Sequence, residues 1–157
     1  MDILIVVDMQ NDFVTGALGS PEAVEIVPRV VQRVQEGVEK GETVLFTRDT
    51  HGAAYAGTQE GRKLPVAHCI KGSEGWEIIP QLRPYAPHPI DKPTFGSRAL
   101  GALLLARDED LRKQGKPGVE KVTFLGVCTD ICVISNALLV KAFLPEAEIV
   151  VEADCCA

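Results

Sequence analysis

The run Ile3-Leu4-Ile5-Val6-Val7 is wholly apolar, rich in β-branched residues, and stops at Asp8. Five residues are too few for a helix, and without polar alternation the segment has no solvent face. It must be a strand buried on both sides, which requires a sheet covered by helices above and below. The rest of the chain fits that demand. Val27, Val30, Val31, Val34 and Val38 recur at helical spacing, with Pro28 near the start and Gly41 after the end. Val44–Thr47 predicts a second strand. His88–Asp91 predicts a short third one, at a sheet edge because Pro89 cannot donate to a central ladder. Leu100, Leu103, Leu104 and Leu111 mark a helix ending near Gly115, and Val122–Val127 is a fourth strand. Asp130–Ala142 predicts a helix apolar on nearly every side, hence buried, before a fifth strand at Ile149–Val151. Strands alternating with helices define an α/β, three-layer, doubly wound, mostly parallel sheet with right-handed crossovers. The whole of 1–157 is expected to form one domain of this Rossmann-like kind.

Charge narrows the partners. The net charge is −6 at pH 7, whereas nucleic acid and anionic membrane both call for a basic surface. The N-terminus has neither a basic region nor a cleavage site, and no apolar run is long enough to span a bilayer. A cytoplasmic location is expected, with the five cysteines as free thiols. Residues 51–83 lack long periodicity, and irregular segments of that length are usually functional.

Doubly wound sheets bind ligands beyond the carboxyl ends of their strands. At those ends stand Asp8; Asp49 with His51; Asp91-Lys92; and Cys128-Thr129-Asp130-Ile131-Cys132. Cys132 would occupy the first turn of a helix, where the dipole should lower its pKa and free N–H groups could hold an oxyanion. A small buried apolar cysteine fits the position equally well. Asp8 reads as either a turn cap or a general base. Lys92 reads as a solvated surface group or as the partner of a buried carboxylate. Asp49 and His51 share one side of an extended segment, and with His68 they make one carboxylate and two imidazoles, a donor set suited to Zn²⁺, Fe²⁺ or Mn²⁺. Cys128 and Cys132 lack the second pair that a structural zinc site needs. The vicinal Cys155-Cys156 pair suggests no role.

Three stretches together resemble the isochorismatase-like cysteine hydrolases. Val6-Val7-Asp8-Met9-Gln10-Asn11-Asp12-Phe13 is similar to the family's V-D-M-Q-x-D-F opening. Asp91-Lys92-Pro93-Thr94-Phe95-Gly96-Ser97 is similar to its lysine segment, and Gly126-Val127-Cys128-Thr129-Asp130-Ile131-Cys132-Val133 to its G-x-x-T-D-x-C-V nucleophile motif. The resemblance implies a catalytic triad of Asp8, Lys92 and Cys132. Its oxyanion hole would come from the backbone N–H groups of Cys128 and Cys132, across a cis Val127–Cys128 peptide. True isochorismatases of this fold lack the cysteine, so its presence implies a small amide as substrate.

Within the family, nicotinamidases hold a divalent metal on D-x-H and a later histidine. Asp49, His51 and His68 correspond to these, Glu60 is a candidate fourth ligand, and zinc is the expected ion. Phe13, Leu64 and Val127 are the expected pocket residues. Leu64 stands where many nicotinamidases carry tryptophan, which leaves Phe13 and Tyr55 as candidates for an aromatic wall. Members usually continue through a further helix and strand, so either the last helix is absent here or the sequence is a shortened one; an uncovered sheet face would then need a partner subunit or be unstable, and a homo-oligomer is expected. Hydrolysis of nicotinamide is the implied reaction. A metal-free hydrolase of ureido or carbamoyl compounds and an inactive small-molecule binding relative are the alternatives.

Overall fold

The computed structural model describes residues 1–157. Strand β1 (Asp2–Val7) lies at the centre of a five-stranded, all-parallel sheet of order β3-β2-β1-β4-β5. Its neighbours are β2 (Thr43–Asp49) and β4 (Lys121–Gly126); β3 (Ile90–Lys92) and β5 (Glu148–Cys156) form the edges. Ile3 through Val7 are all buried, as a run without polar alternation requires. Leu4 and Val6 face a core shared with helix α2 (Pro21–Glu39) and the loop around Trp76 to Leu82. Ile3, Ile5 and Val7 face the opposite core, covered by α4 (Arg98–Lys113) and α5 (Ile134–Phe143). Two short helices, α1 (Asn11–Val14) and α3 (Gln59–Lys63), lie in the connections beyond the strand ends. Each buried Val or Leu side chain on these faces contributes roughly 1.5–3 kcal/mol.

Two elements differ from expectation. Helix α2 begins at Pro21, not near Pro28. Ser20 Oγ accepts from the Ala23 N–H at 3.0 Å, and Pro21 occupies the first turn, a stronger start signal than Pro28 supplies. Pro28 sits in the helix interior on the exposed face, where the carbonyl it leaves unpaired, that of exposed Val24, opens to water. The apolar helix expected over Asp130–Ala142 is two elements, a π-helical turn at Thr129–Val133 followed by α5. It is not buried all round: Ala137 and Val140 face the sheet, while Leu138 is 65% exposed and Ile134 41%. A helix on an outer layer offers only one side to the core, whatever the residues on the other.

β3 pairs only with β2, and Pro89 stands just before its first residue, consistent with an edge. No helix is long and apolar enough to cross a membrane.

Candidate active site

The carboxyl ends of β1, β2, β3 and β4 bring the predicted residues to one rim. Asp8 follows β1 with φ 49°, a left-handed conformation that turns the chain and drops the carboxylate beside the next strands. Thr47 on β2 donates its hydroxyl to Asp8 Oδ1 at 2.7 Å. Lys92, the last residue of β3, places Nζ 2.6 Å from Asp8 Oδ2, 3.3 Å from Cys132 Sγ and 3.5 Å from Asp49 Oδ1. Nζ also donates to the Thr94 carbonyl at 3.2 Å. Asp8 and Lys92 are fully buried and Cys132 is 6% exposed.

Burial would discharge this lysine, but the surrounding Asp8, Cys132 and Asp49 outweigh it and push its pKa above the usual lysine value, so it remains a cation. Asp8 is raised above an ordinary carboxylate by complete burial, with the Lys92 charge pulling the other way. The Cys132 thiol is raised as well, first by burial and then by the Asp8 charge. The sequence-level expectation of a helix-lowered thiol is therefore corrected. Cys132 lies inside a π-helical turn, closed by Val133 N–H on the Cys128 carbonyl at 3.1 Å, so burial and a neighbouring anion decide its proton affinity. Cys132 therefore rests as a neutral thiol, with the Lys92 cation against both it and the Asp8 carboxyl group.

Asn136 holds the nucleophile segment in place. It is fully buried; its Nδ2 donates to the Cys132 carbonyl at 2.8 Å and to the Phe95 carbonyl at 3.0 Å, and its Oδ1 accepts from Ser97 N–H at 2.8 Å. One side chain thus ties the lysine loop to the cysteine turn. The Val127–Cys128 peptide is cis, and Gly126 before it has φ 116°.

Asp49, His51 and His68 form a second buried cluster, with one ligand atom from each lying within 4.8 Å of the others. His51 Nε2 is 2.8 Å from Asp49 Oδ2, and His68 Nε2 is 3.5 Å from it. His68 Nδ1 meets the Val66 carbonyl at 2.8 Å, which aims Nε2 at the cluster. His51 Nε2 is buried without a hydrogen-bond partner of good geometry, an orphan that a metal would satisfy. One carboxylate and two imidazoles fit a divalent cation. Glu60 Oε1 stands 3.5 Å from His51 Nε2 and 3.9 Å from His68 Nε2, at the edge of this group.

Between the clusters lies a cavity of about 240 Å³ lined by Phe13, Leu18, Leu64, Phe95 and Ile131, with Asp49, Glu60 and His68 at one end and Cys128 and Cys132 at the other. Two expected pocket residues do not line it. Val127 is 1% exposed because its side chain at the end of β4 turns into the α2-side core. Tyr55 lies behind the cavity, its ring 4.7 Å from that of His51 and 5.0 Å from that of His68, as backing for the imidazoles. Leu18, Phe95 and Ile131 were not anticipated, since no periodicity marks residues on three separate loops that converge only in space. Thr47 was missed too, although strand alternation already placed it on the same side as Asp49.

An isochorismatase domain model matches residues 2–157. Among solved structures, the chain is similar to the nicotinamidase/pyrazinamidase PncA of Bacillus subtilis, 30% identical with TM-score 0.77, over 99% of this chain and 86% of that one. It is also similar to the pyrazinamidase of Pyrococcus horikoshii in complex with zinc (29%, TM-score 0.73, 99% and 85%). A third is the N-carbamoylsarcosine amidase of Thermoplasma acidophilum (28%, TM-score 0.76, 99% and 83%).

Proposed function

The chain belongs to the isochorismatase family, and we propose that within it the chain is a cysteine amidohydrolase of nicotinamidase type, acting on a small uncharged amide. The observation that carries this reading is the placement of Lys92 Nζ 2.6 Å from Asp8 and 3.3 Å from Cys132, all three side chains being buried. In the proposed cycle, Asp8 takes the thiol proton as Cys132 Sγ attacks the amide carbonyl carbon. The N–H groups of Cys128 and Cys132 receive the oxyanion. The tetrahedral species collapses as Asp8 returns the proton to the departing nitrogen, releasing ammonia and leaving a thioester. Water then attacks the thioester, again losing its proton to Asp8, and the carboxylic acid and free thiol are regenerated. Lys92 keeps its charge throughout and offsets the negative charge as it passes from Asp8 to the sulfur and the oxyanion in a buried space.

Asp49, His51 and His68, with Glu60 beside them, would hold a divalent metal, zinc on the character of the donors. When bound, such an ion would supply a Lewis-acidic position for a lone pair of the substrate. The similarity to a zinc-bound pyrazinamidase supports this part of the reading.

Hydrolysis of a carbamoyl compound is the second reading, favoured by the likeness to N-carbamoylsarcosine amidase. Against a substrate bearing a carboxylate, the cavity has two acids, Asp49 and Glu60, and no arginine or lysine among its lining residues. Ammonia release from nicotinamide, pyrazinamide, aliphatic amides and N-carbamoyl amino acids, with Cys132→Ala as control, separates the two. Turnover of the aromatic amides alone, lost in the variant, is expected. Turnover of carbamoyl compounds alone overturns the substrate, and activity surviving in Cys132→Ala overturns the nucleophile.

A further inference from the structure

Fully buried Gln10 and partly buried Asp12, both in the opening motif, take no part in this chemistry. We infer that Gln10 and Asp12 are positioning residues that hold the metal cradle in register with the catalytic base; the inference rests on reading Asp49, His51 and His68 as metal ligands.

β1 stops at Val7 and the chain turns away at Asp8, so β2 runs three residues past Phe46, the last of its residues to pair with β1, opposite Val6. The N–H and C=O of Asp49 would otherwise face a gap on that side. Gln10 closes it with its carboxamide: Oε1 accepts from Asp49 N–H at 2.7 Å, and Nε2 donates to the Asp49 carbonyl at 2.8 Å. A carboxamide carries the same donor and acceptor as a peptide unit, so a side chain continues the ladder where the backbone has left it. The second N–H of Gln10 goes to the Trp76 carbonyl at 2.8 Å. Gln10 is fully buried, and both its donor hydrogens and its acceptor are used.

Asp12 does the same for the histidine loop. Cys69, next to His68, is buried with φ 46°, a conformation unusual for a residue with a side chain. Its N–H donates to Asp12 Oδ2 at 2.8 Å. The carboxylate has room because Gly75 and Gly16 stand beside it; a β-carbon on Gly75 would fall 2.2 Å from Oδ2. The Cys69 carbonyl in turn accepts from His51 N–H at 2.9 Å. Each ligand's backbone is therefore within two hydrogen bonds of residue 10 or 12, two and four positions after the base. Groups that orient ligands from behind govern metal affinity about as strongly as 10- to 100-fold.

The test measures zinc affinity by competition with a chromophoric chelator, starting from chelator-stripped protein. The variants are Gln10→Met, which keeps length and bulk without hydrogen bonds, Asp12→Ala, and Asp12→Asn, which keeps one acceptor oxygen for Cys69. The rate of Cys132 alkylation by iodoacetamide in the metal-free protein reports the other half of the site. Affinity is expected to fall about 10- to 100-fold in Gln10→Met and Asp12→Ala and to recover mostly in Asp12→Asn, with alkylation unchanged. Zinc affinity equal to wild type in folded Gln10→Met and Asp12→Ala overturns the inference. So does a loss in which Asp12→Asn is as weak as Asp12→Ala and alkylation rises in step, because that pattern is general loosening. If Gln10→Met does not fold, the Asp12 pair decides alone. Wild-type protein that takes up no zinc overturns the metal reading itself, and this inference with it; normal wild-type binding with unaffected variants overturns only this inference.

Discussion

At the scale of single residues, the site is governed by who holds a proton. In the proposed cycle Asp8 must be ionised to accept from Cys132, and burial raises its pKa above 3.8 in the folded protein. Activity is therefore lost as pH falls through that raised value, and the acid limb of kcat/KM should lie above 3.8. Thr47→Val removes a hydrogen bond that favours the charged form, so the limb should move to higher pH; a limb that stays put would show Thr47 to be irrelevant to the base. Lys92→Met should cost about 3–5 kcal/mol in urea unfolding at neutral pH, because it strands the Asp8 carboxylate without its cation. A loss below about 1 kcal/mol would mean that Asp8 simply takes up a proton instead. The convergence of Asp8, Lys92 and Cys132 on one rim was legible from their motifs. Cys132's proton affinity was not, since the burial and the Asp8 charge that set it come from distant parts of the chain.

At the scale of elements, the strand ends carry the candidate site. Gly126 ends β4 with φ 116°, and a β-carbon there would lie 2.2 Å from the Val7 carbonyl oxygen of β1. Gly126→Ala combines a strained backbone with a clash in the sheet centre, and should destabilise by about 3 kcal/mol or more in urea unfolding. A near-neutral value would mean that β1 and β4 can separate there. The strands were readable because an unbroken apolar run admits few alternatives, and β3 was placed at the edge by Pro89. The start of α2 was misplaced because Pro28 is as good a sign of a first turn as Pro21 until Ser20 is seen capping Ala23. The π-helical turn had no signature in the sequence at all.

At the scale of the molecule, the two clusters and the cavity between them exist only because four strand ends and three loops meet. A metal bound in the folded state and not in the unfolded chain adds stability by mass action, about 2.7 kcal/mol at a hundredfold excess over Kd. For a chain of 157 residues, zinc should therefore raise Tm by roughly 5–10 °C, and His51→Ala should abolish the shift. An equal shift in that variant would place the ion elsewhere. The apolar lining was the least legible part: Phe95 and Ile131 within the motifs line the cavity, as does Leu18 outside them, whereas Val127, also within a motif, turns into the core and Tyr55 backs the imidazoles.

Local pattern and motif order by themselves determined the doubly wound sheet, the rim on which Asp8, Lys92 and Cys132 stand, and the Asp49–His51–His68 set, because hydrophobic periodicity and residue chemistry are properties of short segments. The tertiary structure alone decided that Cys132 rests as a neutral thiol, that Gln10 and Asp12 reach Asp49 and Cys69, and which side chains wall the cavity. Those depend on distances between residues far apart along the chain, and on how much water burial removes from each charge.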